Sequence, residues 1–425
     1  MKQSVISTEQ WLEEHLLQLN LVEDMNQPNG FSRLGYSPEE WEAHDIFIQI
    51  AEKMGLTVRR DQAGNVIARW NPVNAGNTAL PAVSMGSHLD TVKGGGGYDG
   101  VAGILCALGA IKVLKEEGFE PTHPLEVICF ASEESSRFPI STIGSKAMSG
   151  IINPKELQDL QDAFGTTVKQ AFESRGLHWG SIQYAEREQN EIKSFVELHI
   201  EQGMRIEHAG AEFGVATAVA CPIRLSIQIE GKMGHTGTTP MGMRQDALVA
   251  AAPLITFISE KAEELSKESE YPIVATASTL TVQPNAMNVI PGTVMLGVDI
   301  RSVDDSLKER FKIMIKEKCQ TIEKEKDVTI KVETIVHNAS IHLNRELSEK
   351  LKKIGESLGY SPLVMESGAG HDVMNMSKKW PSSLIFIKCR DGLSHHPKEH
   401  ATLEDLRIGV EILVGYLQQE AGNDR

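Results

Sequence analysis

The sequence is poor in features that would staple the chain covalently or hold it in a membrane. Its 425 residues include five cysteines, and no two of them form a Cys-x-x-Cys pair. This distribution predicts buried free thiols in a reducing compartment. No apolar run approaches the ~18 residues that a membrane span needs, and the N-terminus leads into a charged amphipathic helix. We therefore expect a cytoplasmic protein with no membrane partner.

The chain is also short of positive charge. Lysine and arginine number 42 against 58 acidic residues, which gives a formal net charge of −16. A nucleic-acid surface needs a basic face, so we expect no nucleic-acid partner. The charge does not identify a small-molecule substrate, because a locally basic pocket can lie in an acidic protein.

The pattern of apolar residues changes twice along the chain. Strands alternate with helices up to residue 212 and again from 333, which predicts an α/β domain with a mostly parallel sheet. Between 213 and 332, paired strands and two long helices predict an inserted α+β sandwich. The length alone favours two domains. We therefore expect one domain made of 1–212 and 333–425, with a second domain inserted at 213–332.

The stretch from residue 86 to 103 is the centre of the predicted larger domain. An apolar run before it predicts a buried strand that ends near His88, and a helix is expected from about 101 to 117. His88, Asp90 and Asp99 therefore lie on the turn between a strand and a helix. Open α/β sheets bind their ligands at this end of the strands.

Other predicted strand ends carry further metal-ligand residue types. Glu133 and Glu134 follow an apolar strand, and His199 lies near the end of another. Two carboxylates at the end of a buried strand are costly unless a cation neutralises them. Mixed imidazole and carboxylate ligands suit zinc, manganese, cobalt or nickel. One glutamate can bind metal while the other takes a proton from water, and Asp90 can hold the second nitrogen of His88.

Five motifs that contain these residues follow one another along the chain in the order found in a known protein family. The segments are 86–91, 98–103, 133–138, 197–203 and 393–397. They resemble the dinuclear metal-dependent amidohydrolases of the hydantoinase/carbamoylase family. The branch they resemble contains N-carbamoyl-L-amino-acid hydrolase, β-ureidopropionase and allantoate amidohydrolase, and belongs to the superfamily of the di-zinc aminoacylases and carboxypeptidases.

The resemblance implies two divalent metal ions per subunit. The implied ligands are His88 and His199 for one ion, Glu134 and His395 for the other, and Asp99 between the two. Glu133 is the implied general base. His395 is preferred to its neighbour His396 because the family motif reads Ser-His-x-Pro. A histidine at 199, where the peptidase relatives commonly have a carboxylate, resembles the carbamoylase and allantoate branch.

The inserted segment carries a second set of matching motifs, at 231–241, 284–292 and 299–301. The resemblance implies that His235 donates to the oxyanion and that Asn288 and Arg301 bind the substrate, Arg301 through its carboxylate. In the family, His235 commonly serves the active site of the partner subunit. The inserted segment is therefore expected to be a lid and dimerisation domain of a homodimer.

Two more residues complete the candidate site. Gln202 is a further candidate for substrate binding, and His371 is expected to have a supporting role. The resemblance as a whole implies hydrolysis of the C–N bond of a ureido group on a small carboxylate-bearing substrate, either an N-carbamoyl-L-amino acid or allantoate. An aminoacylase or dipeptidase acting on a plain amide is the alternative, and a non-catalytic metal-binding scaffold is the remote one.

Overall fold

Two separate sets of strands organise the chain, and the computed structural model describes residues 7–73 and 80–422. Contacts divide the chain into a larger unit (Met1–Thr217, Leu343–Met365 and His371–Arg425) and a smaller unit (Ala218–His342 and Glu366–Gly370). The α-helices are α1 (Thr8–Asn20), α2 (Pro38–Lys53), α3 (Val101–Glu116), α4 (Ile143–Met148), α5 (Pro154–Leu157), α6 (Val168–Ser174), α7 (Arg205–Ala209), α8 (Ala247–Glu268), α9 (Asp305–Lys326), α10 (Arg345–Ser357), α11 (Val373–Met376) and α12 (Leu403–Ala421).

The strands fall into a nine-stranded sheet, a four-stranded sheet and a two-stranded ladder. They are β1 (Thr57–Arg60), β2 (Val66–Trp70), β3 (Ala82–His88), β4 (Leu125–Phe130), β5 (Ile192–Ile200), β6 (Phe213–Val219), β7 (Ile223–Glu230), β8 (Gly234–His235), β9 (Val274–Gln283), β10 (Val289–Ile290), β11 (Thr293–Arg301), β12 (Thr329–His337), β13 (Ile341–His342), β14 (Pro362–Ser367) and β15 (Ser382–Ile387).

The nine-stranded sheet has the order β1-β2-β4-β3-β5-β15-β6-β13, with β14 paired to β6. Its four central strands, β4, β3, β5 and β15, are parallel, and the flanking pairs described by register are antiparallel. The central strands are almost wholly buried apolar runs, as parallel strands covered on both faces require. The expected α/β fold with a mostly parallel central sheet is confirmed.

The helix α3 places the loop before it at the carboxyl end of β3. It begins at Val101, as expected, and ends at Glu116. Most of its residues are buried, because it packs against β3, β5, α1 and α12. The chain therefore leaves β3 at His88, passes through one loop, and returns as a mostly buried helix that begins two residues after Asp99.

The smaller unit is a four-stranded antiparallel sheet, in the order β12-β7-β11-β9, with α8 and α9 packed against it. Buried and exposed residues alternate along β7 and β11, so one face of the sheet meets the helices. This is the α+β arrangement expected for the inserted segment. β6 was expected inside that segment, but it pairs with β15, and the chain enters the smaller unit at Ala218.

The few cysteines of the chain lie in its interior. All five are buried, and none of them forms a disulfide. Among residues 7–73 and 80–422, no helix is both long enough and apolar enough to cross a membrane.

Candidate metal centre

Two neighbouring parallel strands bring the first group of ligand types together. His88 ends β3, and His199 lies near the end of β5, its neighbour in the sheet. The Oδ1 atom of Asp99 is 3.0 Å from Nε2 of His199 and 3.6 Å from Nε2 of His88. All three side chains are buried, and their ligand atoms lie close enough together to hold one metal ion.

The second group uses the other oxygen of the same aspartate. Oδ2 of Asp99 is 3.2 Å from Nε2 of His395, which in turn is 3.3 Å from Oε1 of Glu134. Asp99 is the one residue that both groups share, within the described part of the chain. One oxygen toward each group is the arrangement that a bridging carboxylate needs. The structure therefore brings all five predicted ligands together.

The outer nitrogens of the two buried histidines are held by acceptors. Nδ1 of His88 lies 3.0 Å from the carbonyl oxygen of Asp90 and 3.3 Å from its Oδ1. Nδ1 of His199 lies 2.9 Å from the carbonyl oxygen of Ile200. These acceptors favour a proton on Nδ1 and leave Nε2 as the accepting atom, as a metal ligand requires. In this structure Nε2 of His199 accepts from the amide of Gly100 at 3.2 Å.

Successive backbone amides of the turn after β4 donate to buried carboxylates. The amides of Glu133 and Glu134 donate to the two oxygens of Asp90, at 3.1 and 2.9 Å. The amide of Ser132, whose φ is +53°, donates to Oε1 of Glu40 at 2.7 Å. Asp90 therefore contacts His88 and also fixes the backbone position of Glu133 and Glu134.

Glu133 lies beside the two ligand groups and belongs to neither of those found in the described residues. Its Oε2 is 3.9 Å from Nε2 of His88, beyond hydrogen-bonding distance. Burial raises the pKa of Glu133 well above its usual value, and the charge of Glu134 adds to the rise. A buried carboxylate with a raised pKa, beside the candidate ligands and outside both groups, suits the expected general base.

The charges of the site fit divalent cations. Burial alone would raise the pKa of Asp99, but His199 and the other imidazoles hold it well below its usual value. Hydrogen bonds to Asp99 and Glu134 raise the pKa of His395 to about 10. Burying this many ionisable groups is costly unless they are compensated. Imidazole and carboxylate together suit borderline divalent ions.

Close contacts explain why glycines stand on both sides of Tyr98. A Cβ atom on Gly96 would lie 2.2 Å from Oε1 of Glu399. Gly100 has a φ of +67°, and a Cβ there would lie 2.6 Å from the His88 ring. The loop must therefore pass directly over a buried carboxylate and a ligand imidazole, and side chains would block both approaches.

Two more predicted residues lie at or near the same centre. Nε2 of Gln202 donates to Oδ2 of Asp99 at 2.9 Å, so in this structure the side chain contacts the shared carboxylate. The His371 ring is buried, with its centroid 4.5 Å from that of His199, and burial lowers its pKa well below the usual value. His395 reaches Asp99 and Glu134, whereas Nδ1 of His396 accepts from the amide of Lys398.

The other three predicted residues lie in the smaller unit. His235 is in β8, opposite Val289, and its Nδ1 accepts from the amide of Gly237 at 3.0 Å. The carbonyl oxygen of Asn288 accepts from the amide of Thr236 at 3.3 Å. The ladder of β8 and β10 therefore holds His235 and Asn288 near one another.

Arg301 ends β11 and is held at two points of its guanidinium. Nε donates to Oδ1 of Asp299 at 2.9 Å, and Nη1 donates to the carbonyl oxygen of Gly368 at 2.8 Å. The side chain is partly exposed. These contacts fix the direction of the guanidinium within the smaller unit.

Two functional candidates were missed at the sequence level. Glu399 accepts hydrogen bonds from the loop that carries Asp99 and from the loop that carries His395. Burial, together with the charge of Asp99, raises the pKa of Glu399 to about 7. Glu40 was the other. Its place three residues after Ser37 fits a capping box, but its carboxylate accepts from the amides of Tyr36 and Ser132.

Comparison with known proteins gives one family model over most of the chain and several relatives over more than nine tenths of it. The family model "Peptidase family M20/M25/M40" matches residues 84–419. The N-carbamoyl-L-amino acid amidohydrolase of Geobacillus stearothermophilus is 35% identical over 93% of this chain and 95% of its own length. The allantoate amidohydrolase of Escherichia coli K12 is 35% identical over 92% of this chain and 93% of its own. The crystal structure of a hydantoinase/carbamoylase family amidase from Burkholderia multivorans is similar with a TM-score of 0.86, at 27% identity and 98% coverage of both chains.

Proposed function

Because the chain belongs to the peptidase family M20/M25/M40, we propose that it hydrolyses the C–N bond of a ureido group on a small molecule that bears a carboxylate. Membership confirms the family expected from the five motifs and makes the chain a hydrolase. Relatives that are 35% identical over most of the chain are named for N-carbamoyl-L-amino acids and for allantoate. The observation that carries the proposal is the sharing of Asp99 between two ligand groups, with Glu133 beside them.

We infer that each subunit binds two divalent ions. His88 and His199 would hold one ion, Glu134 and His395 the other, and Asp99 both, since these atoms converge in two groups. Bound there, the ions supply a Lewis acid for the carbonyl oxygen and lower the pKa of water. Zinc, manganese, cobalt and nickel all accept such ligands.

Glu133 is the proposed general base and then the general acid. Its raised pKa makes the carboxylate ready to accept a proton from the attacking water. The new C–O bond forms at the carbamoyl carbon, and the C–N bond then breaks. The proton that Glu133 has taken passes to the departing nitrogen, so the same carboxylate serves both steps.

Residues of the smaller unit are the proposed substrate contacts. A guanidinium is a strong partner for a carboxylate, and Arg301 is already oriented by Asp299 and Gly368. Asn288 is the second proposed contact. His235, which is exposed in β8, is the proposed donor to the oxyanion. Gln202 is proposed as a substrate contact in the larger unit.

We also propose that the chain forms a homodimer through the smaller unit. Four methionines close to His235 and Asn288 in the sequence are strongly exposed, with exposures of 62% to 101%. They are Met233, Met241, Met243 and Met287. Exposed, adaptable apolar side chains of this kind are typical of surfaces that a partner covers. Sedimentation velocity of the wild-type chain tests the dimer, and a monomer at micromolar concentration would contradict it.

A substrate screen tests the proposed reaction. N-carbamoyl-L-amino acids, allantoate, N-acetyl amino acids and dipeptides would be compared, each with manganese, cobalt, nickel and zinc in turn. Ammonia release from the ureido compounds, at a higher kcat/KM than cleavage of acyl or peptidyl compounds, is the expected result. Faster cleavage of a plain amide would instead identify an aminoacylase or dipeptidase.

A further inference from the structure

One buried carboxylate joins the two loops that carry Asp99 and His395. Oε1 of Glu399 accepts from the amides of Tyr98 and Asp99, both at 2.9 Å. Its Oε2 is 3.1 Å from Oγ of Ser394 and accepts from the amide of His395 at 3.3 Å. Glu399 is only 5% exposed.

We propose that Glu399 is a positioning residue, which holds Asp99 and His395 at the spacing that the ion shared with Glu134 requires. The proposal rests on the proposed metal centre. The backbone of His395 is in the left-handed region, with φ of +56°, a conformation that needs support from its surroundings. An acceptor on its own amide supplies that support, and the same side chain restrains Asp99 through the other oxygen.

The two ligand groups should depend on Glu399 to different degrees. His88 is paired with β4 and His199 with β15 in the sheet, so hydrogen bonds of the sheet fix the backbone of both. His395 lies in a loop, outside any strand, and its side chain is half-exposed, at 49%. Loss of Glu399 should therefore weaken the ion held by Glu134 and His395 more than the ion held by the two strand-borne histidines.

Two variants separate position from charge. Glu399→Gln removes the charge and presents an NH2 group to one pair of donors. Gly96→Ala keeps the charge but forces the carboxylate away, because the new Cβ would lie 2.2 Å from Oε1 and 2.3 Å from Cβ of Glu399. Gly96 is not among the residues with positive φ, so alanine fits the backbone itself.

The experiment counts bound ions in full-length protein by equilibrium dialysis against buffered Mn²⁺, followed by elemental analysis. In both variants the dissociation constant of one site should rise about 10- to 100-fold, the range for partners that orient metal ligands. The second site should change much less. The matched controls are Glu420→Gln, a buried carboxylate paired with Lys193 and Lys350, and Gly242→Ala, where a Cβ meets nothing within 4 Å.

Several outcomes would overturn the inference. Wild-type affinity at both sites in the two variants would do so. So would a loss in Glu399→Gln alone, because charge and not position would then be responsible. If Glu399→Gln does not fold, Gly96→Ala decides alone. If Gly96→Ala does not fold, Glu399→Asp takes its place, because it keeps the charge and withdraws the carboxylate, and wild-type affinity in that variant would overturn the inference. Wild-type protein that binds no ion would refute the metal centre itself, whereas normal wild-type binding with unaffected variants refutes only the role of Glu399.

Discussion

Replacing Glu133 or Glu134 by glutamine should impair the enzyme in different ways. The first substitution should lower the catalytic rate, and the second should lower the affinity for a metal ion. Oε1 of Glu134 lies 3.3 Å from Nε2 of His395 and belongs to a ligand group. Oε2 of Glu133 lies 3.9 Å from Nε2 of His88 and belongs to neither group found among the described residues. Their amides are both held by Asp90, so either substitution leaves the backbone of the turn in place.

The expected sizes follow from these positions. Glu133→Gln removes a general base, which is worth about 10²- to 10⁴-fold in rate, or about 3 to 5 kcal/mol of barrier. Its ion content should stay that of the wild type. Glu134→Gln removes an anionic ligand, and one ion should bind at least about 10- to 100-fold more weakly, as when an outer partner of a ligand is lost.

The assay measures both quantities on the same samples. Bound ions are counted after dialysis against buffered Mn²⁺, and kcat is measured by ammonia release at saturating substrate. Added Mn²⁺ should restore part of the rate of Glu134→Gln and none of that of Glu133→Gln. The reasoning fails if Glu133→Gln turns over at a near-normal rate, or if it loses an ion as readily as Glu134→Gln.

Further predictions concern substrate, metal and pH. Arg301→Ala should lower kcat/KM for carboxylate-bearing substrates about 100-fold, because a charged hydrogen-bonded pair is lost, with Arg301→Lys in between; an unchanged kcat/KM removes the proposed clamp. Chelation should lower the Tm, since each ion at about 100 times its Kd stabilises the fold by about 2.7 kcal/mol; a Tm that does not respond to metal concentration contradicts this. Burial raises the pKa of Asp61 from an ordinary 3.8 to about 6. The charged carboxylate therefore destabilises the fold by about 3 kcal/mol above about pH 6, and this loss of stability disappears below about pH 4, where Asp61 is protonated. Urea denaturation should therefore show Asp61→Asn closer in stability to the wild type at pH 7 than at pH 4, and a constant difference would refute this assignment.

The candidate metal-binding histidines could be found from the sequence because they stand at the ends of predicted strands. His88 and His199 stand at the ends of apolar runs, and the carboxyl ends of adjacent parallel strands meet at one edge of a sheet. The pairing of β3 with β5 brings those ends together. The five ordered motifs then made Asp99, which lies in a glycine-rich loop, part of the same site.

Glu399 and Glu40 escaped sequence analysis because they act on backbone atoms far along the chain. Glu399 accepts from Tyr98 and Asp99, about 300 residues away, and no pattern of side chains records such a bond. Glu40 had a sufficient local explanation as a capping residue. The strand β6 was misplaced for a related reason, since its apolar run fits either sheet, and only pairing with β15 decides.

The three carboxylates outside the ligand groups that hold the site together share one physical property. Asp90, Glu40 and Glu399 are buried, and each accepts from the backbone amide of a candidate site residue or of its neighbour in the chain. A neutral acceptor could hold the same amides. However, Asp99 and Glu134 would neutralise only part of the charge of the two proposed divalent ions, and an uncompensated buried charge is costly. Asp90 and Glu399 would therefore serve two needs at once, since they fix the ligand-bearing loops through hydrogen bonds and would bring negative charge near the proposed ions. Burial raises the pKa of Glu399 to about 7, so its charged form is unfavourable where it lies. The proposed metal centre would account for the folded position of an acid that the chain would otherwise have little reason to bury.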